Sequence, residues 1–316
     1  MNAPVTGLHH VTAIASDPQR NVDFYTGLLG LRLVKRTVNF DDPSAYHLYY
    51  GDETGTPGTL VTFFYWPGQA ARGRVGVGQM TTLTFSVAPD ALDTWQVRLE
   101  RSGVPVRRMS RFDEEVLAFA DPDGIPIEFV GVARDPRPGW TGAGIPAGAA
   151  LRGLHTAVLT VRDASETAAL LTPIMGFTPL GSEGKRTRYV VGAGGSGQLV
   201  DVIEDPSAPA GLGGSGTIHH VAFRVADDAA EQVMQQRLGE AGYHVSSVRD
   251  RNYFRSIYYR ERNGILFEIA TDGPGFAHDE PVASLGSELK LPAQFEPVRA
   301  RITAALPELR PAAVRA

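Results

Sequence analysis

Cysteine is absent from all 316 residues, which removes disulfide staples, thiolate nucleophiles, iron–sulfur clusters and thiolate-held zinc together. Any metal must therefore rest on histidine, aspartate or glutamate. No run approaches the roughly 18 consecutive apolar residues that a membrane-crossing helix requires. The opening stretch MNAPVTGLHHVTAIA lacks the charged and then apolar segments of a secretory leader, so a soluble, cytoplasmic protein is expected. Blocks of like charge are also missing: 30 basic residues against 35 acidic ones leave a formal charge of −5, with no footprint for nucleic acid or an anionic membrane. What remains is a chain 43% hydrophobic, long enough for one large core or two medium ones, whose expected partner is a small uncharged or anionic molecule. A homo-oligomer is compatible with the sequence.

A weak internal repeat organises the chain. Four β-rich runs, Gly7–Ala15, Gln79–Val87, Gly153–Val161 and Thr217–Val225, each precede an amphipathic stretch that ends at glycine, namely Asp17–Gly30, Pro89–Gly103, Asp163–Gly176 and Asp227–Gly242. Three further β-like runs complete each unit, as in Tyr243–Arg249, Phe254–Arg260 and Gly264–Ala270 of the last. The pattern is βαβββ, four times. It predicts an α+β protein of two pseudo-symmetric half-barrel domains. One region would be 7–131, with units 7–66 and 77–131; the other would be 153–272, with units 153–204 and 217–272. Residues 132–152, rich in Pro and Gly, read as a linker, and Glu204–Gly216 as a second flexible stretch. The extension 273–316 has one expected helix, Gln294–Leu306.

Two units open on the same dipeptide, His9-His10 and His219-His220. A lone strand histidine is ordinarily a half-buried residue satisfied by backbone; recurrence at the same place in two repeats argues against that reading. Neighbours on a strand face opposite sides, so one histidine of each pair is expected in a given cavity. The last strand, GILFEIA, is apolar except for Glu268, and a buried carboxylate needs a cation or donors. Arg251 or Arg255 would serve as a salt-bridge partner; a metal would explain the histidines as well. Superposing the units aligns His10, Thr82, Thr156 and His220 on the first strands, and Thr62, Glu128, Asp201 and Glu268 on the last. Only units one and four carry histidine at these places, so unit one is predicted to pair with unit four, where His10, His220 and Glu268 converge with Thr62 in the fourth place. Two imidazoles and one carboxylate leave adjacent positions free, which suits Fe(II) binding a substrate beside O₂. Ligand types alone leave zinc and manganese open. Units two and three would offer two carboxylates and no imidazole, a poor transition-metal site.

Over about Leu8 to Phe295, the stretches LHHVT, LVKRTVNFDD with YHLYYGDETGTPGT, IHHVAF, RNYFRSIYYRERNGILFE, GFAHDE and SLGSELK follow one another in order. In these the chain resembles the vicinal oxygen chelate superfamily, and within it the hydroquinone ring-cleaving dioxygenases of the 2,6-dichlorohydroquinone 1,2-dioxygenase type. The resemblance implies iron, with manganese the lesser choice, on His10, His220 and Glu268. It implies an aromatic substrate with O₂, His9, Arg251 and Tyr258 handling protons and charge, and Thr12 and His219 supporting the ligands. Tyr258 would relay a proton and Arg251 would stabilise negative charge. The same superfamily hosts isomerases and drug-binding proteins, so a glyoxalase-like isomerase or lyase and a non-enzymatic binder of aromatic compounds are the rival readings. Pocket walls are expected from the loops around Trp66–Gly78 and Phe276–Glu280.

Overall fold

A computed structural model describes residues 5–68 and 71–312. Unit one contributes strands Gly7–Ile14 (β1), Arg32–Val38 (β2), Tyr46–Gly51 (β3) and Leu60–Tyr65 (β4). Unit two contributes Gln79–Val87 (β5), Arg107–Arg111 (β6), Glu114–Ala120 (β7) and Pro126–Gly131 (β8). Unit three contributes Gly153–Val161 (β9), Thr178–Glu183 (β10), Arg186–Val190 (β11) and Leu199–Glu204 (β12). Unit four contributes Thr217–Val225 (β13), Arg249–Asp250 (β14), Arg255–Arg260 (β15) and Leu266–Thr271 (β16).

A helix follows each opening strand: Pro18–Val22 continuing as a π-helical turn Asp23–Leu28, then Ala91–Arg101, Ala164–Leu171 and Asp228–Glu240. Asp17, Asp163 and Asp227 cap three of them by accepting from Arg20 N, Ser165 N and Ala230 N. The glycines expected to stop the helices, Gly30, Gly103, Gly176 and Gly242, all hold positive φ between 72° and 83°, which an L side chain rarely adopts.

The strands form two eight-stranded sheets, in the orders β14-β15-β16-β13-β1-β4-β3-β2 and β10-β11-β12-β9-β5-β8-β7-β6. Unit one therefore joins unit four, as the site requires, and unit two joins unit three. At the centre of the first sheet β1 runs antiparallel to β13 and parallel to β4. The connections between units are zipped together rather than loose: Gly73 N, Arg74 N and Val77 N each donate over 2.9 Å to Ser215, Leu212 and Pro209 carbonyls.

Each sheet centre carries paired bulges. In β1 the register passes from Leu8↔Phe223 to His10↔Ala222, so His9 is the extra residue; in β13 it passes from Thr12↔His220 to Ala13↔Ile218, so His219 is. The core requires them. Leu8, Val11 and Ala13 all enter the main hydrophobic cluster, as do Ile218, Val221, Phe223 and Val225. The apolar parity switches once in each strand, and an unbulged strand would turn one end inside out.

Two expected elements differ. Of Tyr243–Arg249 only Arg249 enters a strand; the rest runs extended, anchored where Ser246 N donates to Tyr258 O (2.9 Å) and Gln235 donates to Ser246 O. The tail helix divides into a 3₁₀ segment, Ala293–Val298, and an α-helix, Arg299–Ala305, because Pro297 has no N–H to continue a helical ladder.

Candidate metal centre

A cavity of about 370 Å³ opens on the concave face of the first sheet, with His10, His220 and Glu268 in its wall. All three are buried. β1 places His10, β13 His220 and β16 Glu268; Thr12 is in register with both His220 and Thr62, and Glu268 with Ala222 and Tyr258. Nε2 of His10 and of His220 lie 3.4 Å apart, and Glu268 Oε2 lies 3.3 Å from the first and 2.9 Å from the second. A triangle with these sides has a circumscribed radius of about 1.9 Å. One point about 1 Å off its plane is then about 2.1 Å from all three donors, the length of a bond from a divalent metal to imidazole or carboxylate. Among the described residues neither oxygen of Glu268 has a hydrogen-bond partner, despite the nearby nitrogens. Burial holds the pKa of His220 below 6.5, so that the imidazole is neutral with a lone pair to share. An anionic carboxylate with no hydrogen bond, beside converging lone pairs, fits a cation and little else. The salt-bridge alternatives are spent elsewhere: Arg251 pairs with Asp41 and Arg255 with Asp228.

The bulges explain the doubled histidines. His9 Nδ1 lies 2.9 Å from His10 Nδ1, and His9 Nε2 lies 3.1 Å from the carbonyl of Thr271. A carbonyl only accepts, so His9 carries its proton on Nε2 and accepts at Nδ1; His10 then donates from Nδ1, and its Nε2 faces the centre with a free lone pair. His219 repeats the contact, Nδ1 to Nδ1 at 2.7 Å from His220, but is solvent-exposed. Burial, with His10 adding, pushes the His9 pKa down to about 3. Both His9 nitrogens are engaged.

Tyr258 and Arg251 form a unit on the cavity wall. Tyr258 Oη accepts from Arg251 Nε and Ser256 Oγ, each at 3.0 Å, and Arg251 Nη2 donates to Asp41 at 2.9 Å. Burial, joined by Glu268, raises the Tyr258 pKa far above 10. Burial opposes the Arg251 charge, but Tyr258 and Asp41 hold it in place.

The fourth place is occupied as aligned. Thr62 Oγ1 meets Thr12 Oγ1 at 2.8 Å and His47 Nε2 at 2.9 Å, and His47 Nδ1 meets Tyr49 Oη at 2.8 Å. His47 and Tyr49 both line the cavity, and sequence reasoning missed them. Their alternation on β3 opposite Phe64 and Thr62 was the available signal. Asn39, Phe40 and Asp41, from the β2–β3 loop, were missed as well; Trp66 lines the cavity as expected. Phe276, expected in the wall, packs behind it on Tyr49 and Tyr253. Asp279 and Glu280 pair with the buried Lys35 at 2.7 and 2.8 Å.

The second sheet repeats the geometry without the metal chemistry. Glu128 pairs with Arg111, and Asp201 with Arg186 and Arg188, so guanidinium balances the carboxylates aligned with Glu268.

Residues 7–129 and 153–269 match the Glyoxalase/Bleomycin resistance protein/Dioxygenase superfamily. The chain belongs to this superfamily. Among its relatives, a Bacillus subtilis (strain 168) protein named "Putative ring-cleaving dioxygenase MhqO" is 46% identical over 298 residues, 94% of each chain. The "Chlorohydroquinone/hydroquinone 1,2-dioxygenase" of Sphingobium indicum is 35% identical over 302 residues, 93% of this chain and 94% of its own. A crystal structure described as that of a "putative dioxygenase" from Bacillus subtilis subsp. subtilis str. 168 superposes with a TM-score of 0.94 at 44% identity, covering 98% of both chains. Among the described residues no helix is long and apolar enough to cross a membrane.

Proposed function

We propose that this protein is an Fe(II)-dependent dioxygenase that cleaves a hydroquinone-type ring beside a hydroxyl-bearing carbon, with His10, His220 and Glu268 as the metal ligands. The carrying observation is the convergence of three buried donors on one point beside Thr62 in the fourth place. A fourth protein ligand would favour metal-assisted isomerisation; a threonine hydroxyl already bonded to Thr12 and His47 leaves that side open. The names borne by the relatives supply the substrate class and oxygen. Bound iron would supply adjacent sites for an ionised hydroxyl and O₂, and a path for electrons between them.

The chain's own residues prepare the substrate. Phe64, Trp66 and Phe254 line an apolar slot that takes the ring and excludes water. Tyr258 accepts two hydrogen bonds, so its own proton points away from Arg251 and Ser256, and its raised pKa keeps that proton in place as a donor to substrate oxygen rather than making it a base. Arg251 keeps its charge beside that oxygen and offsets the negative charge of an ionised ring. His9 and His219 orient the two ligand imidazoles; His9, with both nitrogens engaged and no place in the cavity wall, is a positioning residue rather than a proton carrier.

Oxygen-electrode traces on anaerobically iron-loaded protein, with a panel of hydroquinones and catechols, test this reading. O₂ uptake with ring-opened product is expected, and His10→Ala and Glu268→Gln should lose both iron and turnover. Turnover without O₂ consumption would establish the isomerase reading instead, and ligand binding indifferent to both substitutions the binding-protein reading.

A further inference from the structure

Four polar side chains run in single file across the sheet from Thr12 on β1, two residues from His10, to Tyr49 on β3, which lines the cavity: Thr12, Thr62, His47 and Tyr49, joined by contacts of 2.8, 2.9 and 2.8 Å. All four are buried. Thr12 Oγ1 and Tyr49 Oη, the two ends, have no further side-chain or backbone partner among the described residues. Each hydroxyl has one proton and a neutral imidazole has one, and burial keeps His47 neutral. The file therefore has two fully bonded polarities. In one, Tyr49 donates to Nδ1, Nε2 donates to Thr62 and Thr62 donates to Thr12; Tyr49 then has only lone pairs left for the cavity. In the other, Thr12 donates to Thr62, Thr62 to Nε2 and Nδ1 to Tyr49; the Tyr49 proton is then free for the cavity. Each of the four groups holds one proton in both polarities, so exchange turns the three hydroxyls about their C–O bonds and shifts the imidazole proton from one ring nitrogen to the other. No charge is created and the number of hydrogen bonds is unchanged.

We propose that Tyr49 is the recognition group for the substrate's second oxygen, the one remote from the metal, and that His47 makes it reversible, accepting from a hydroxyl or donating to a carbonyl. The assignment rests on the hydroquinone reading above, in which a ring bound through one hydroxyl presents the other across the cavity. Ring opening converts that far group from a hydrogen-bond donor towards a carbonyl acceptor. A Tyr49 held with only lone pairs towards the cavity would fit the hydroxyl and repel the carbonyl, whereas a tautomeric file fits both. Phe276 and Tyr253 pack on the Tyr49 ring, which restricts the hydroxyl to rotation about its own bond.

The test is equilibrium binding by calorimetry to iron-loaded protein under nitrogen, with hydroquinone, 4-hydroxybenzaldehyde and phenol as probes carrying a donor, an acceptor and nothing at the far position. The native protein should bind the first two about tenfold more tightly than phenol, one net hydrogen bond's worth. Tyr49→Phe should bring all three to one affinity. His47→Gln, whose fixed amide oxygen accepts from Tyr49, the stronger donor of its two neighbours, and so leaves Tyr49 only lone pairs, should keep the preference for hydroquinone and lose that for 4-hydroxybenzaldehyde. Iron content, measured alongside, reports folding. Equal native affinity for hydroquinone and phenol, or a tenfold preference that survives Tyr49→Phe, overturns the proposal. Either result can occur in a protein that still consumes O₂ with hydroquinone, so it would leave the dioxygenase reading standing, whereas absent O₂ uptake would sink that reading first.

Discussion

His9→Leu isolates the consequence of the doubled histidines. The substitution removes the acceptor 2.9 Å from His10 Nδ1 and leaves that N–H in a buried site, since His9 and His10 are each 1% exposed. An unmet buried donor costs about 1–3 kcal/mol. His10 can avoid part of that cost by moving its proton to Nε2, but this blocks the lone pair that faces the centre, so the penalty falls on metal binding by either route. Loss of an orienting partner of this kind weakens metal affinity about 10- to 100-fold, which agrees with about 1.4–2.8 kcal/mol at 1.4 kcal/mol per tenfold. His219→Leu removes the corresponding 2.7 Å partner of His220. His219 is exposed, so water can take over the N–H, and the cost should be about 0.5–1.5 kcal/mol, below roughly tenfold. His9→Asn, whose side-chain oxygen can stand near the lost Nδ1, should recover most of the affinity. Competition for Fe(II) with a chromophoric chelator measures all four proteins. His9→Leu binding iron as tightly as the native protein, or His219→Leu losing more than His9→Leu, would refute the tautomer argument.

Acidification of the metal-free protein tests the buried imidazoles. His9, held at about 3, and His47 and His220, both below 6.5, bind protons in the unfolded chain before the folded one. Stability should accordingly be complete above about pH 6.5 and fall as pH drops below it, with a slope approaching about 1.4 kcal/mol per pH unit for each such histidine; denaturant titrations between pH 7.5 and 4.5 that show no decline would contradict this. Lys35→Met removes the ammonium between Asp279 and Glu280, and should cost about 3 kcal/mol, the lower end for breaking a buried pair because Asp279 is 24% exposed and can rehydrate. Urea midpoints measure it, and a variant as stable as the native chain would show that the segment 276–290 is held by its apolar contacts instead.

Much of this protein can be read locally. A period of two tells which strand residues share a face, so the repeated His-His opening and the single carboxylate of GILFEIA mark a ligand set without any coordinates. The helix stops, the four βαβββ units and the vacant fourth place at Thr62 follow from residue types and their spacing. The bulges at His9 and His219 were half-visible, because the apolar parity of each opening strand switches there, from Leu8 to Val11 and from Ile218 to Val221; what the switch does to the imidazoles was not. The pairing of unit one with unit four was legible only because these two units alone carry histidine, and the sheet order bears it out; the strand runs themselves carry no mark of which edge joins which. His47 and Tyr49 became cavity residues only when β3 folded beside β4, and Asp41 reached Arg251 across 210 positions of chain. Residue chemistry and strand period are properties of a few neighbouring positions, whereas convergence of side chains from strands far apart in sequence depends on which surfaces the whole chain can bury together.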